Sequence, residues 1–529
     1  MTRLRSILQA LVLLIGTMSA AMAGPYEDAL PKLAADSYAD TEAAIGLVAG
    51  SGHARAMNVV EALRDGRLMV AAGQVYIRDA AGQFVDVATG QAVEPPAGAK
   101  PVRVNNRVRR AVEAALGSMT LLSPEPGIRM DAARAVFRSR DAAALPTLER
   151  AIAEENDVGV REALESARAA ILLNKPDASS SEKLAAIEIL HARGDQDALA
   201  LLSSLSPGTP AEVSDTAAKA ADGIRSRLAL WSGLQNVWYG ISLGSVLLLA
   251  AIGLSITFGT MGVINMAHGE MVMIGAYTTF LVQEMIRTHA PGLFGASLFI
   301  ALPLAFLVAG LIGILIERTV IRFLYGRPLE TLLATWGISL ILQQGVRTIF
   351  GPTNREVGTP AWMSGALELG GLSLTYNRIA IVVFAFAVFA ALLLVLRYTS
   401  LGLYVRAVTQ NRRMAGSMGI RTSRIDALAF GLGSGVAGIA GVALSQIDNV
   451  SPNLGQGYII DSFMVVVFGG VGNLWGTLVG AMTLGIANKL LEPYAGAVLG
   501  KIVLLVAIIL FIQRRPRGLF ALKGRAVEA

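Results

Sequence analysis

The chain has 529 residues, 53% of them hydrophobic, a formal net charge of +6 and no cysteine. Lacking cysteine, it can form no disulfide, thiolate-held iron–sulfur cluster, thiol nucleophile or Cys-ligated zinc site. The charge is unevenly spread: residues 24–229 carry 23 Lys/Arg against 28 Asp/Glu and residues 230–529 carry 20 against 11, with no basic patch interleaved with aromatics, which argues against nucleic acid.

Residues 1–23 read as a secretory signal peptide. Arg3 and Arg5 form a positive start, residues 7–18 are apolar, and Ala21-Met22-Ala23 is a small-residue cleavage site. An uncleaved anchor is the rival reading, and both send residues 24–229 across the membrane. Residues 24–104 predict an exported α+β region. It has two amphipathic helices over 27–65, then short β runs at 68–70, 74–77 and 84–87 in a hairpin or meander. Pro95-Pro96 and Pro101 mark a linker. Residues 105–205 are helical and weakly repetitive: 129–136, 160–167 and 182–190 share one character, and 142–152 and 197–205 are second helices. HEAT-type repeats and an ordinary small helical bundle both fit this pattern. His53 and His191 have no partner at ligand spacing and read as surface or capping residues. Residues 206–229, with Pro207 and Pro210, predict a linker.

Residues 230–520 change solvent. Apolar stretches at 234–258, 269–286, 297–323, 330–350, 378–396, 426–447, 458–470, 474–491 and 498–513 predict a multi-pass α-helical membrane protein of eight to nine spans. The 458–470 run is short and reads, with the next, as broken or re-entrant. Residues 397–424 carry six arginines and no acid, the 318–327 loop carries three arginines, and the tail from Arg514, including 521–529, is basic. The positive-inside rule places all three in the cytoplasm and the N-terminal region outside.

Polar residues within the apolar half are costly and therefore informative. Ile264-Asn265-Met266-Ala267-His268-Gly269-Glu270, shortly after Phe258-Gly259-Thr260-Met261-Gly262, fits either a broken helix at membrane depth or an interfacial turn capped by His268 and Glu270. Phe468-Gly469-Gly470-Val471-Gly472 followed by Asn473 echoes that pattern, a trace of an internal repeat. Gln343-Gln344, Asn449, Asn453 and Asp461 are further polar candidates near span ends. Glycines at 431, 433, 435, 438 and 441 allow close helix approach.

The run Gly253-Leu254-Ser255-Ile256-Thr257-Phe258-Gly259, leading into 264–270 and Gly275-Ala276-Tyr277, resembles the branched-chain amino-acid class of ABC importer permeases. So do Glu317-Arg318, Arg327-Pro328-Leu329, Thr335-Trp336-Gly337-Ile338-Ser339-Leu340-Ile341-Leu342-Gln343, Arg406-Ala407-Val408-Thr409-Gln410-Asn411, Met418-Gly419-Ile420 and Arg515-Pro516-Arg517-Gly518-Leu519-Phe520. A signal peptide and an exported domain ahead of such a permease look like the urea-transporting branch of the class. The resemblance implies two ABC ATPase subunits, a second related permease, a periplasmic solute-binding protein and a bacterial inner-membrane location, with the solute crossing the bilayer. It also implies a coupling helix within 400–420, with Arg406, Gln410, Asn411, Arg412 and Arg413 facing the ATPase; the plainer alternative is that these arginines only set topology. The chain has no Gly-x-x-x-x-Gly-Lys-Ser/Thr phosphate loop, so it is read as a non-enzyme without a cofactor, ATP being bound by its partners.

For a neutral solute such as urea or a short amide, the path needs hydrogen-bonding side chains, and Asn265 and Gln343 fit, with His268 and Glu270 holding the turn and Asn473 at the second glycine motif. A branched-chain amino acid is the alternative substrate; its ammonium could use a charge at membrane depth, which only Glu270 or Asp461 supplies. A passive channel is the reading from another class. A sensor lacks a cytoplasmic output domain, and an intramembrane enzyme lacks a His/Asp/Glu cluster or activated serine.

Overall fold

The computed structural model describes residues 24–79, 82–205 and 208–520, so the expectations for residues 1–23, for Ser206 and Pro207 and for residues 521–529 lie outside it. The chain divides into two units, Met1–Leu228 and Ala229–Ala529.

The first unit opens with three helices where two were expected: α1 (Pro25–Leu33), α2 (Tyr38–Gly50) and α3 (Ala56–Arg64). The β runs fall within a residue or two of expectation as β1 (Leu68–Ala71), β2 (Gln74–Arg78) and β3 (Phe84–Asp86). Two short strands, β4 (Ala92–Val93) and β5 (Lys100–Pro101), extend them to an antiparallel sheet of order β4-β3-β2-β1-β5. Pro101, read as linker, sits opposite Met69 in β5. The edge position explains this, because a strand with a free side tolerates the missing N–H. Tyr26 stacks on His53 at 3.9 Å and donates from its hydroxyl to the Val87 carbonyl at 3.1 Å, which ties α1 to the sheet.

Six helices follow: α4 (Asn106–Thr120), α5 (Pro126–Ser139), α6 (Leu145–Glu154), α7 (Val158–Asn174), α8 (Ser180–Arg193) and α9 (Gln196–Ser203). Val108 and Val112 of α4 pack into the core of α1–α3 and the sheet, while Val136, Leu148, Leu164, Ile171, Ile187 and Leu190 belong to the buried core of α5–α9. Glu155 caps it: its carboxylate accepts from Arg129 at 2.6 and 2.8 Å and from the Asn156 and Asp157 amides at 3.0 Å. The Arg129 guanidinium, helped by those amides against the effect of burial, holds the carboxyl down at about 2. Residues 211–228, expected as linker, are the start of α10 (Ala211–Met261). Val213, Ala217, Ala221 and Ile224 recur at helical spacing and are buried in this core.

The second unit contains the rest of α10, then α11 (His268–His289), α12 (Ser297–Thr319), α13 (Pro328–Phe350), α14 (Tyr376–Tyr398), α15 (Ser400–Gln410), α16 (Arg412–Ser417), α17 (Thr422–Leu444), α18 (Leu454–Gly469) and α19 (Leu474–Arg514). A hairpin, β6 (Ala366–Leu369) and β7 (Leu372–Thr375), precedes α14. Among the described residues five helices are long and apolar enough to cross a membrane: α10, the 291–323 segment containing α12, α14, α17 and α19.

The apolar stretches 474–491 and 498–513 both fall within α19, which is interrupted at Gly496 (φ 75°, ψ 165°), a conformation open to glycine and closed to side chains. A Cβ on Gly500 would lie 3.7 Å from the Leu491 Cβ. Residues nine apart on one straight helix lie about 13 Å apart, so residues 497–514 turn back along 474–495.

α17 is the hub, and it packs backbone to backbone. A Cβ on Gly275 of α11 would overlap the Gly438 carbonyl oxygen, and one on Gly441 would overlap that of Val272. One on Gly433 would come 2.6 Å from the Gly253 oxygen of α10, and one on Gly435 2.7 Å from the Phe306 ring of α12. Helices in lipid gain little from hiding apolar side chains from one another, so close approach through glycine supplies the contact instead.

Candidate functional site

The polar run at 264–270 forms a break at depth. α10 ends at Met261 and turns at Gly262 (φ 66°). His268, the first residue of α11, then hydrogen-bonds through Nε2 to the Ala250 carbonyl at 2.9 Å. Ala250 lies eleven residues before the end of α10, about 16 Å along the helix. Residues 263–267 therefore run back along α10, and α11 starts well inside the bundle. Backbone exposed by such a break must find partners within the protein. The Asn265 Oδ1 accepts from the Ala267 amide at 3.0 Å, and Thr335 of α13 accepts from the Met266 amide at 3.1 Å.

One turn on, the Glu270 Oε1 accepts from Ser339 Oγ at 2.9 Å and Gln343 Nε2 at 2.7 Å, near the middle of α13. Gly269 crosses Gly455 of α18 so closely that a Cβ on it would lie 2.5 Å from the Gly455 oxygen. Asn265, His268 and Glu270 are each 1% exposed and Gln343 is 4% exposed. These four residues are thus brought together, enclosed by protein. The broken-helix alternative describes the geometry, and His268 and Glu270 fasten the break. Thr335 and Ser339 were not singled out from the sequence. The signal was a buried polar row on one face of α13, Thr331, Thr335, Ser339 and Gln343, each four residues apart.

Asn473 lies elsewhere. It caps α19, its Oδ1 accepting from the Gly476 amide at 3.1 Å. The two glycine motifs meet here: a Cβ on Gly259 would come 2.6 Å from the Gly472 Cα. The Leu519 amide donates to the Phe468 carbonyl at 2.9 Å and the Phe520 amide to that of Gly469 at 3.1 Å, closing the end of α18. Beside this junction is a cavity of about 420 Å³ lined by Thr260, Arg406, Thr409, Gln410 and Asn473.

The residues expected to face an ATPase divide. On α15 and α16, Arg406, Gln410, Asn411 and Arg413 are exposed, with Tyr404, Met414 and Met418 also exposed. Asn411 caps α16, its Oδ1 accepting from the Met414 amide at 2.9 Å. Arg412 turns inward. It forms an ion pair with Asp426, a fully buried carboxylate near the start of α17, and its guanidinium lies 4.7 Å over the Tyr325 ring. Tyr325 donates to the buried Glu317 of α12 at 2.8 Å, and Arg318 donates to Ser423 of α17 at 3.0 Å. Asp426, Tyr325 and Glu317 were missed because they lie 14, 87 and 95 residues from Arg412 by sequence number, in a pairing that only the fold brings about. Asp461 of α18 is paired with Lys501 of α19 at 2.9 Å.

A family model described as "Branched-chain amino acid transport system / permease component" matches residues 236–512. The high-affinity branched-chain amino acid transport system permease protein LivH of Salmonella typhimurium is 32% identical over 296 residues, covering 54% of this chain and 94% of the relative. The corresponding protein BraD of Pseudomonas aeruginosa is 30% identical over 293 residues, 54% of this chain and 95% of its own. The ribose import permease protein RbsC of Escherichia coli is 24% identical over 303 residues, 52% of this chain and 85% of its own. No solved structure matches.

Proposed function

Because the chain belongs to the branched-chain amino acid transport permease family, we propose that it is the membrane-spanning permease subunit of an ATP-driven importer in a bacterial inner membrane. It works with two ATPase subunits, a second permease and a solute-binding protein, and carries no cofactor of its own. The observation that carries this reading is the pairing of an enclosed break in the membrane half with a basic segment latched to the hub helix. Eight to nine crossings, with the first unit outside, belong to this reading, and the arginine-rich turns support it. In the first unit, α4–α9 are read as HEAT-like hairpins.

Coupling runs through α15 and α16. The exposed Arg406, Gln410, Asn411 and Arg413 meet the ATPase, and Arg412 transmits the push through Asp426 to α17. α17 touches α10, α11 and α12 through glycine contacts, so its displacement reaches the break at residues 262–270.

The solute is read as urea or a short amide. Neither candidate membrane charge is available to an ammonium group, since Asp461 is paired with Lys501 and Glu270 is enclosed. A branched-chain amino acid is the second reading, favoured by the names of the relatives at 30–32% identity. Uptake of labelled urea and leucine, with and without the chain and with the ATPases intact or disabled, decides between them. Urea uptake lost in both arms supports the first reading. Leucine uptake lost instead supports the second. Entry that ignores the ATPases identifies a passive channel and sinks the importer.

A further inference from the structure

Between α13 and the β6–β7 hairpin the chain runs across α11 and the turn that joins α17 to α18. The crossing starts at Gly351 (φ 85°) and Pro352 and ends at the buried Pro360. Along it Asn354 and Glu356 are exposed while Arg355 and Val357 turn inward, the alternation of an extended strap. Discrete hydrogen bonds fasten it. The Arg355 amide donates to the Val450 carbonyl at 2.8 Å, and the Arg355 guanidinium donates to the Phe350 carbonyl at the end of α13. Gln283 of α11 holds Gly358 in both directions, Nε2 donating to its carbonyl and Oε1 accepting from its amide, each at 2.8 Å. A side chain at 358 would collide, since a Cβ there would lie 2.9 Å from the Phe294 ring. Beside the strap, Arg347 of α13 donates to the Asn453 Oδ1, just before α18, at 2.5 Å.

The groups beneath the strap are incompletely satisfied. Tyr277 of α11 is 3% exposed and its ring lies 4.8 Å from that of Phe350. Its hydroxyl is buried with no hydrogen-bond partner among the described residues, and the Arg355 Nε is in the same position. Tyr277, Phe350, Val357 and Val450 share one core. A buried polar atom without a partner is costly, and a native structure that keeps one asks for an explanation. A segment held by a few hydrogen bonds at the margin of a core is also the kind that opens locally.

We propose that residues 351–358 form a clasp that holds the ends of α11, α13 and α18 together and opens in each transport cycle. Opening gives the Tyr277 hydroxyl and the Arg355 Nε the partners they lack when it is shut. The clasp lies at the opposite end of α13 from the arginine-rich 318–327 turn, so with that turn in the cytoplasm it is outside. A push delivered through Asp426 enters α17 near its start, and Val450 follows the other end of α17. The clasp is therefore placed to release when the Arg412–Asp426 latch moves. The proposal rests on the importer reading for the cycle itself.

The chain has no cysteine, so an introduced pair reports without background. Arg355→Cys with Val450→Cys places two thiols across an antiparallel bridge, where mild oxidation can join them. In the assembled transporter, in ATP-loaded right-side-out vesicles, oxidation is expected to lower uptake of labelled urea or leucine roughly tenfold, and a reductant to restore it in the same sample. Uptake that continues unchanged with the disulfide closed overturns the proposal. A second arm keeps Arg355. Tyr277→Cys, probed from outside with a charged, membrane-impermeant methanethiosulfonate, is expected to react slowly at rest and roughly tenfold faster during ATP-driven turnover. Equal rates in the two conditions also overturn the proposal, making the strap a fixed tie. If the double variant is inactive when reduced, the second arm decides alone. Entry through the native chain that ignores the ATPases fails the importer reading, while the oxidation arm still shows whether the clasp must open.

Discussion

The two units solve the same packing problem by opposite means. The first fills its interior with leucine, valine, isoleucine and alanine at helical spacing and keeps charge at its margins, with Glu155 and Arg129 as a paired cap. The second buries Asn265, His268, Glu270, Glu317 and Asp426, and joins its central helices through glycine. In water, removing apolar area is itself the driving force. In a bilayer the surroundings are already apolar, so close backbone contact and interhelical hydrogen bonds hold the bundle together. The second unit therefore depends on what a side chain must not occupy, the first on what it must fill.

Substitution breaks this comparison most sharply at the glycine crossings. Gly275→Leu or Gly441→Leu is expected to prevent recovery of folded, monodisperse protein in detergent. A Cβ alone already overlaps a carbonyl oxygen at either site, beyond the ~1–3 kcal/mol typical of overpacking that side chains can absorb. Normal yield and uptake from either variant would refute the glycine account.

Leu164→Ala should cost the first unit about 2–5 kcal/mol through lost burial and a residual cavity. Hydrogen exchange of the full chain should show faster exchange in α5–α8 and unchanged protection in α17. Loss of protection in both would show that the two units are not energetically separate.

A smaller effect is expected at the latch. Asp426→Asn should lower uptake roughly tenfold, about 1.4 kcal/mol, while ATPase subunits still copurify and still hydrolyse ATP. Restored uptake in the exchanged pair Arg412→Asp with Asp426→Arg would tie the effect to the link itself. Loss of copurification in Arg412→Gln would instead make Arg412 a direct ATPase contact.

The smallest effect is one of pH. Glu155 is held at about 2 in the fold against an ordinary value of 4.5. Its folded pKa is depressed, so the stabilisation is full above 4.5 and is lost as pH falls through that range toward 2. Exchange protection of α5–α7 should fall over that window in the native chain, and Arg129→Gln should flatten the dependence. An unchanged profile in the variant would assign the acid sensitivity to other groups.

Much of this architecture was legible in residue order. The three β runs, the apolar stretches and the break at residues 262–270 follow from local punctuation and period, which a sequence carries directly. Other features depend on contacts between distant segments. Pro101 looked like a linker residue because a proline signals a break unless it lies at a sheet edge, and the edge is known only once β1 is its neighbour. Residues 211–228 looked like a tether because Pro207 and Pro210 precede them, yet Val213, Ala217, Ala221 and Ile224 carry a helical period that could have been read. Arg412 was grouped with its neighbours by charge alone; its inward direction is set by Asp426, and no local pattern announces that. The polar run at residues 264–270 stands out in the sequence, while its enclosure depends on α13 and α18 packing over it.

The non-helical run at residues 262–267 has a consequence for engineering. Its backbone is satisfied by two side chains in particular, Asn265 and Thr335, so exchanging either to alter selectivity would leave a buried amide without a partner and weaken the bundle before any change in solute preference could be seen. A redesign of what this protein carries should leave those two residues alone.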